Sequence, residues 1–183
     1  MEPDDTHGAV VVGLGSDGSV GACKSVLKIL GDEVGDFVQG HFVYDSRKAG
    51  AVTVSHLRAA SHPIHAPYLV TRARYLACHQ PQLLDRAELR ELCAPGATLV
   101  INAPWPPGEV WVRLPEDLRR AVMARGVRVF VIDAARVAEE AGLGHHLGTV
   151  MEALLLRALS DLSPERMRET LAASISKRFS RKG

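Results

Sequence analysis

The chain has 183 residues, 46% of them hydrophobic and 23% charged, with a formal net charge of +1. That length suffices for one α/β domain with a real core, and the near-neutral balance argues against a nucleic acid or an acidic membrane surface as partner. No apolar run reaches the length of a membrane span, and the polar, acidic Met1–His7 does not resemble an export signal, so the expected compartment is cytoplasmic.

Residues 1–7 read as a leader or linker and residues 8–183 as the domain. Gly8–Leu14 is an apolar first strand, expected to be central and parallel. It runs into Gly13-Leu14-Gly15-Ser16-Asp17-Gly18-Ser19, where Gly13, Gly15 and Gly18 keep a G-x-G-x-x-G spacing, and then into a helix reaching about Gly31. Glycines there permit positive φ and close approach of a ligand to the backbone. The free N–H groups and dipole of the following helix favour an anion. A phosphate or pyrophosphate over this turn is one reading, and glycines serving packing alone are the other.

Phe37–Asp45 predicts a second strand, Ser46-Arg47-Lys48-Ala49-Gly50 a basic turn, and Ala51–Arg58 a third strand of alternating apolar and polar residues. Strand following strand through a short turn is a hairpin, which departs from a plain Rossmann half. Ser61–Pro67 is irregular. Arg74–His79 predicts a buried strand, Gln82–Leu92 a helix ended by Pro95-Gly96, and Ala97–Asn102 another strand followed by a rigid loop through Trp105 to Gly108. Pro115 opens a helix closed by Arg125-Gly126, Val127–Asp133 is the last strand, and Ala134–Ala141 is a short helix. Apolar residues from Leu147 to Leu162 at i, i+3, i+4 spacing predict an amphipathic helix. Ser163-Pro164 starts a final one with Met167, Leu171, Ile175 and Phe179 on one stripe, ending in a basic, frayed terminus.

These elements predict a three-layer α/β/α sandwich with a mostly parallel, mixed sheet and a glycine-rich first strand–helix turn. Ligands bind beyond the carboxyl ends of the strands in such sheets. The glycine turn, Ser46–Lys48, His79, Asn102–Trp105 and Asp133 should therefore share one rim. Arg47 and Lys48 could clamp a phosphate there. In a dinucleotide enzyme Asp45 would hold a ribose and Arg47 a 2′-phosphate instead. The eight histidines show no metal-ligand spacing, and Cys23, Cys78 and Cys93 have no C-x-x-C pairing, so no metal is expected and the thiols read as reduced and buried. No nucleophile–base set stands out.

Three stretches together resemble a known family. They are Gly13–Ala22, then Gln39–Lys48 with Val52–Arg58, then Ala77-Cys78-His79-Gln80-Pro81 with Asn102-Ala103-Pro104-Trp105. The pattern is similar to the gamma region, or domain III, of pyruvate:ferredoxin and pyruvate:flavodoxin oxidoreductases. The resemblance implies an α/β domain over the active-site entrance that contributes to coenzyme A binding and is not catalytic alone. It implies that thiamine diphosphate, magnesium and iron–sulfur clusters lie in the other domains or subunits, and that the whole enzyme passes electrons to ferredoxin or flavodoxin. Carried onto this chain, the coenzyme A contacts are Gly15, Ser16, Asp17, Gly18 and Ser19 of the turn, with Arg47 and Lys48. The competing expectations are a stand-alone NADP-binding Rossmann-like oxidoreductase and a purely structural assembly domain.

Overall fold

The computed structural model describes residues 5–45, 51–144 and 146–179. Six strands form one sheet: β1 (His7–Leu14), β2 (Phe37–Tyr44), β3 (Val52–Ala60), β4 (Ala73–Cys78), β5 (Cys93–Asn102) and β6 (Arg128–Ile132). Their spatial order is β2-β3-β1-β4-β5-β6. β1, β4, β5 and β6 run parallel, while β3 is antiparallel to both β1 and β2. The sheet is thus mixed, as expected. β1 is central but parallel only to β4, because the β2–β3 hairpin folds back onto its other edge.

Helices cover both faces. On one lie α2 (Ala87–Glu91), α3 (Val110–Arg113) and α4 (Glu116–Arg125). On the other lie α1 (Ser19–Ile29), α5 (Ala134–Glu140), α6 (Leu147–Leu159) and α7 (Pro164–Phe179). The alternation of Cβ directions explains the unbroken apolar run in β1. Val10 and Val12 pack with Leu76, Leu99, Leu89 and Leu118, whereas Ala9 and Val11 pack with Val26, Met151 and Leu155. β3 is buried on both faces even at Thr53, Ser55, His56 and Arg58. The segment before β4 closes over it: Arg58 donates to Gln39 Oε1 (2.7 Å) and stacks on Tyr68, and Gln39 donates to the Ala66 carbonyl (2.8 Å).

Residues 5–7 pack on the sheet: Thr6 is buried, His7 opens β1, and Asp5 pairs with His62 at 3.0 Å. Two expectations change. Gln82–Leu92 is not one helix but a 3₁₀ turn, Pro81–Leu83, and the short α2, separated by an extended Arg86 with ψ 134°. Leu84 and Leu89 would sit about 140° apart on a continuous helix. Breaking the backbone at Arg86 lets both enter the same core. β5 begins at Cys93, so Pro95-Gly96 lies inside the strand assignment rather than ahead of it. The register slip between Ala73 and Tyr75 against β5 absorbs the irregularity.

Helix ends follow the sequence closely. Gly126 and Gly35 cap in the left-handed region at φ 62° and 86°. After α1 a single π-helical turn, Leu30–Val34, carries the chain to Gly35. Ser163 caps α7 by accepting from the Arg166 amide (3.3 Å). Among the described residues no helix is long and apolar enough to cross a membrane.

Candidate ligand site at the carboxyl rim

The parallel strands β1, β4, β5 and β6 end at Leu14, Cys78, Asn102 and Ile132 on one rim. The antiparallel pairings Leu14↔Val52 and Tyr44↔Thr53 bring the β2–β3 connection to the same rim. Arg47 and Lys48 lie outside the described residues; their flanks are fixed. The Asp45 amide donates to the Val52 carbonyl, and the Gly15 amide donates to the Ala51 carbonyl, both at 2.9 Å. The glycine turn therefore abuts the residue that follows the basic segment.

The turn is built around Asp17. Its carboxylate accepts from the Leu14 amide (2.8 Å, Oδ2) and from the Ser19 amide (2.9 Å, Oδ1). Gly18 turns the chain into α1 at φ 80°, a left-handed conformation that glycine adopts without strain. Gly13 makes room beneath: a Cβ there would stand 2.4 Å from Ser19 Oγ and 2.8 Å from Asp17 Oδ2. Asp17 and Ser19, expected to face the ligand, are thus turned inward, and Ser19 is buried. The carboxylate pins the turn from within by tying the Leu14 amide to the Ser19 amide. Gly15, Ser16 and Gly18 remain at the surface. So do the outward amides of Val20 and Gly21, which no helical carbonyl can reach at the start of α1.

A second helix start meets the first, unforeseen from the sequence. α6 opens beside the turn, where a Cβ on Gly148 would lie only 3.6 Å from the Gly18 carbonyl. The contact is held deeper down by Ser25 Oγ donating to Glu152 Oε1 (2.7 Å), which ties α1 to α6 around a fully buried carboxyl group. The absence of a side chain at Gly148 is the sequence signal for this approach.

The rest of the rim is laced by Asn102. Its Nδ2 donates to the His79 carbonyl (3.2 Å) and its Oδ1 accepts from the Ala134 amide (3.1 Å), joining the ends of β4, β5 and α5. Asp133 caps α5 by accepting from the Arg136 amide (3.0 Å). His79 is 5% exposed, and its amide extends β1 by donating to the Val12 carbonyl. Burial lowers its pKa, opposed by the nearby Asp17 charge, so the ring is neutral at pH 7. Trp105 packs against the core and carries the Arg113 guanidinium 5.5 Å from its ring centroid. The loop expected there continues into a 3₁₀ turn, Pro107–Glu109, and α3. All three thiols are buried. Desolvation pushes Cys23 and Cys78 up to about 12 and Cys93 up to about 11, so none is a thiolate at neutral pH.

Fold and rim together define an open α/β domain, a mixed six-stranded sheet with helices on both faces. The chain belongs to the pyruvate ferredoxin/flavodoxin oxidoreductase family, whose model matches residues 8–183. It is 42% identical over 183 residues to the pyruvate-flavodoxin oxidoreductase of Rhodospirillum rubrum and 40% identical over 175 residues to a probable pyruvate-flavodoxin oxidoreductase of Escherichia coli. The alignments take in 100% and 96% of this chain, yet only 15% of the length of either relative. Among solved structures, the pyruvate oxidoreductase subunit PORC of Thermotoga maritima matches with a TM-score of 0.65 at 17% identity, over 93% of this chain and 92% of that one. A 2-oxoglutarate:ferredoxin oxidoreductase from Magnetococcus marinus, solved with coenzyme A bound, matches with a TM-score of 0.68 at 19% identity. That alignment covers 99% of this chain and 28% of the other. At such identities the likeness is one of fold.

Proposed function

We propose that this chain is the gamma-type, non-catalytic domain of a cytoplasmic pyruvate:ferredoxin or pyruvate:flavodoxin oxidoreductase and contributes to coenzyme A binding. The observation that carries the reading is the meeting of three features at one point of the rim: the glycine turn, the start of α6, and the ends of the segment bearing Arg47 and Lys48. Two helix N-termini and two cations suit an anionic group lying outside the turn. Gly15, Ser16 and Gly18 form its floor, and the Val20 and Gly21 amides face it. Asp17 and Ser19 hold the turn's shape from within. Coenzyme A, when bound, supplies the thiol that accepts the acyl group. Thiamine diphosphate, magnesium, the iron–sulfur clusters and the ferredoxin or flavodoxin contact belong to the other domains.

One observation disfavours an NADP enzyme: Asp45, the ribose ligand of that reading, follows β2, and β3 sets β2 two strand spacings, about 10 Å, from β1. Calorimetry with coenzyme A and NADPH in parallel tests the choice. Coenzyme A binding weakened at least tenfold by Arg47→Ala with Lys48→Ala is expected. NADPH binding without a coenzyme A response would overturn the reading, and binding of neither would leave an assembly role. Pyruvate-dependent dye reduction by the chain alone would refute its non-catalytic character.

A further inference from the structure

A concavity of about 580 Å³ lies on the α2 side of the sheet, beside the β2–β3 hairpin, a size suited to a small organic ligand. Its walls are apolar: Val43 and Val52 of the hairpin, Val54 deeper on β3, Leu69 and Val70 ahead of β4, and Leu92 after α2. Val54 and Val70 belong to the core behind it, whereas Val43 and Leu69 are 39% and 40% exposed and mark its mouth.

The polar groups in these walls are mostly acceptors. His56 is 5% exposed; the Val70 backbone accepts a hydrogen bond from its ring, and its Nδ1 is buried with no partner among the described residues. Burial lowers its pKa, so at pH 7 the ring is neutral and Nδ1 carries a free lone pair. A buried acceptor without a donor is costly, and an incoming N–H would satisfy it. Asp45 and Glu88 line the same space, and both charges act on Arg86. Arg86 holds Glu88 in a two-point pair, Nε donating to Oε2 at 3.1 Å and Nη2 to Oε1 at 2.7 Å, which fixes the flat guanidinium at the pocket. Among the described residues two carboxylates thus line the pocket with one arginine, a balance that does not suit a phosphate. It suits an uncharged ring with apolar faces and an amino group that donates, against which a guanidinium plane can stack. An aminopurine has these properties.

We propose that this pocket takes the adenine base of coenzyme A, its exocyclic amino group donating to His56 Nδ1 and its ring lying against the Arg86 guanidinium. The inference rests on the function proposed above and adds base recognition to the phosphate contacts assigned there. The chain itself links the two: Arg47 and Lys48 fall in sequence between Asp45 and Val52, both of which line the pocket.

Calorimetry on the full chain tests this with three ligands. They are coenzyme A, etheno-coenzyme A, in which the exocyclic nitrogen is closed into a further ring and no longer donates, and phosphopantetheine, which lacks the nucleoside. Coenzyme A should bind at least tenfold tighter than its etheno analogue, because a site built to accept an N–H rejects a ligand without one. His56→Phe should shrink that ratio to below threefold. Val43→Trp, at an exposed strand position, should fill the mouth and weaken coenzyme A at least tenfold, with phosphopantetheine unchanged. Should His56→Phe not fold, Val43→Trp and the etheno ratio in the parent still decide. Equal affinity for coenzyme A and its etheno analogue, or an etheno ratio unaltered in folded His56→Phe, would overturn the base pocket alone. So would a Val43→Trp chain that binds coenzyme A like the parent or loses as much affinity for phosphopantetheine. No coenzyme A binding by the parent chain would overturn the proposed function, and the base pocket with it.

Discussion

Asp17 Oδ2 stands 2.8 Å from the point where a Cβ on Gly13 would be, so the carboxylate and the missing side chain are two halves of one turn. The first glycine of the G-x-G-x-x-G spacing serves this internal fit rather than a ligand. Gly13→Ala would also bring the new methyl within 2.8 Å of Ser19 Cβ, which cannot rotate away. A loss of about 2–3 kcal/mol is expected, in the range for overpacking a buried site. Asp17→Ala removes the acceptor for two amides and should lose about 1–2 kcal/mol, as for a lost helix cap. Urea unfolding of both variants measures this. A Gly13→Ala protein as stable as the parent would contradict the turn geometry.

Acid should destabilise the fold through His56 and His79. Burial lowers the pKa of both in the folded chain below the ordinary value of 6.5. The unfolded chain then binds protons that the folded chain refuses. Stability is fully present above about pH 6.5 and falls as the pH drops from there toward the lowered values, by at most about 1.4 kcal/mol per pH unit for each ring. His62, raised by its exposed pair with Asp5, acts in the opposite sense. Unfolding curves at pH 7.5 and 5.5 should show the loss, and His56→Phe should reduce it. An equal midpoint at both pH values would refute the neutral buried rings.

Alkali should act through the thiols. An unfolded cysteine ionises near 9.0, while the folded values of Cys23, Cys78 and Cys93 are pushed up to about 12, 12 and 11. The folded state therefore holds protons that the unfolded state releases. Stability is complete below pH 9 and declines above it, by about 1.4 kcal/mol per pH unit for each thiol once pH exceeds the unfolded value. Tyr75, also raised by burial, adds to the decline above pH 10. Cys23→Ala should make the slope shallower by about one thiol's share. In the native protein at pH 8 a disulfide reagent should label none of the three at the rate it labels them in urea.

Periodicity made most elements legible, because strands buried on both faces and helices buried on one leave strong apolar signals. β1, the β2–β3 hairpin, α4 with its Gly126 cap, and the α6 stripe all lie close to their expected places. What periodicity does not carry is the direction in which a polar side chain is used. Asp17 and Ser19 have the composition of a phosphate loop, yet their hydrogen bonds run inward, a choice fixed by three-dimensional distances around Gly13. The approach of α6 to Gly18 joins residues 130 positions apart in sequence. The break at Arg86 is hidden in the sequence for a similar reason: helix-forming residues on both sides mask the need of Leu84 and Leu89 to reach one core.

Asn102 is the residue whose loss should most loosen the rim without touching the core. It is the sole side chain among the described residues that bonds both the β4 end, through the His79 carbonyl, and the start of α5, through the Ala134 amide. Asn102→Leu keeps the volume and removes both bonds, leaving a carbonyl and an amide short of partners. Each such group costs about 1–3 kcal/mol when buried, and partial access to water here puts the expected total at about 2–3 kcal/mol. Asn102→Asp retains the acceptor for Ala134 but sets a carboxylate against the His79 carbonyl. The first contact survives in that variant and the second becomes repulsive. Hydrogen exchange separates the two cases: Ala134 should exchange at least tenfold faster in Asn102→Leu and near its parent rate in Asn102→Asp, while the β1 amides stay protected in both. Uniform acceleration across β1 in either variant would mean that Asn102 supports the whole sheet rather than the rim.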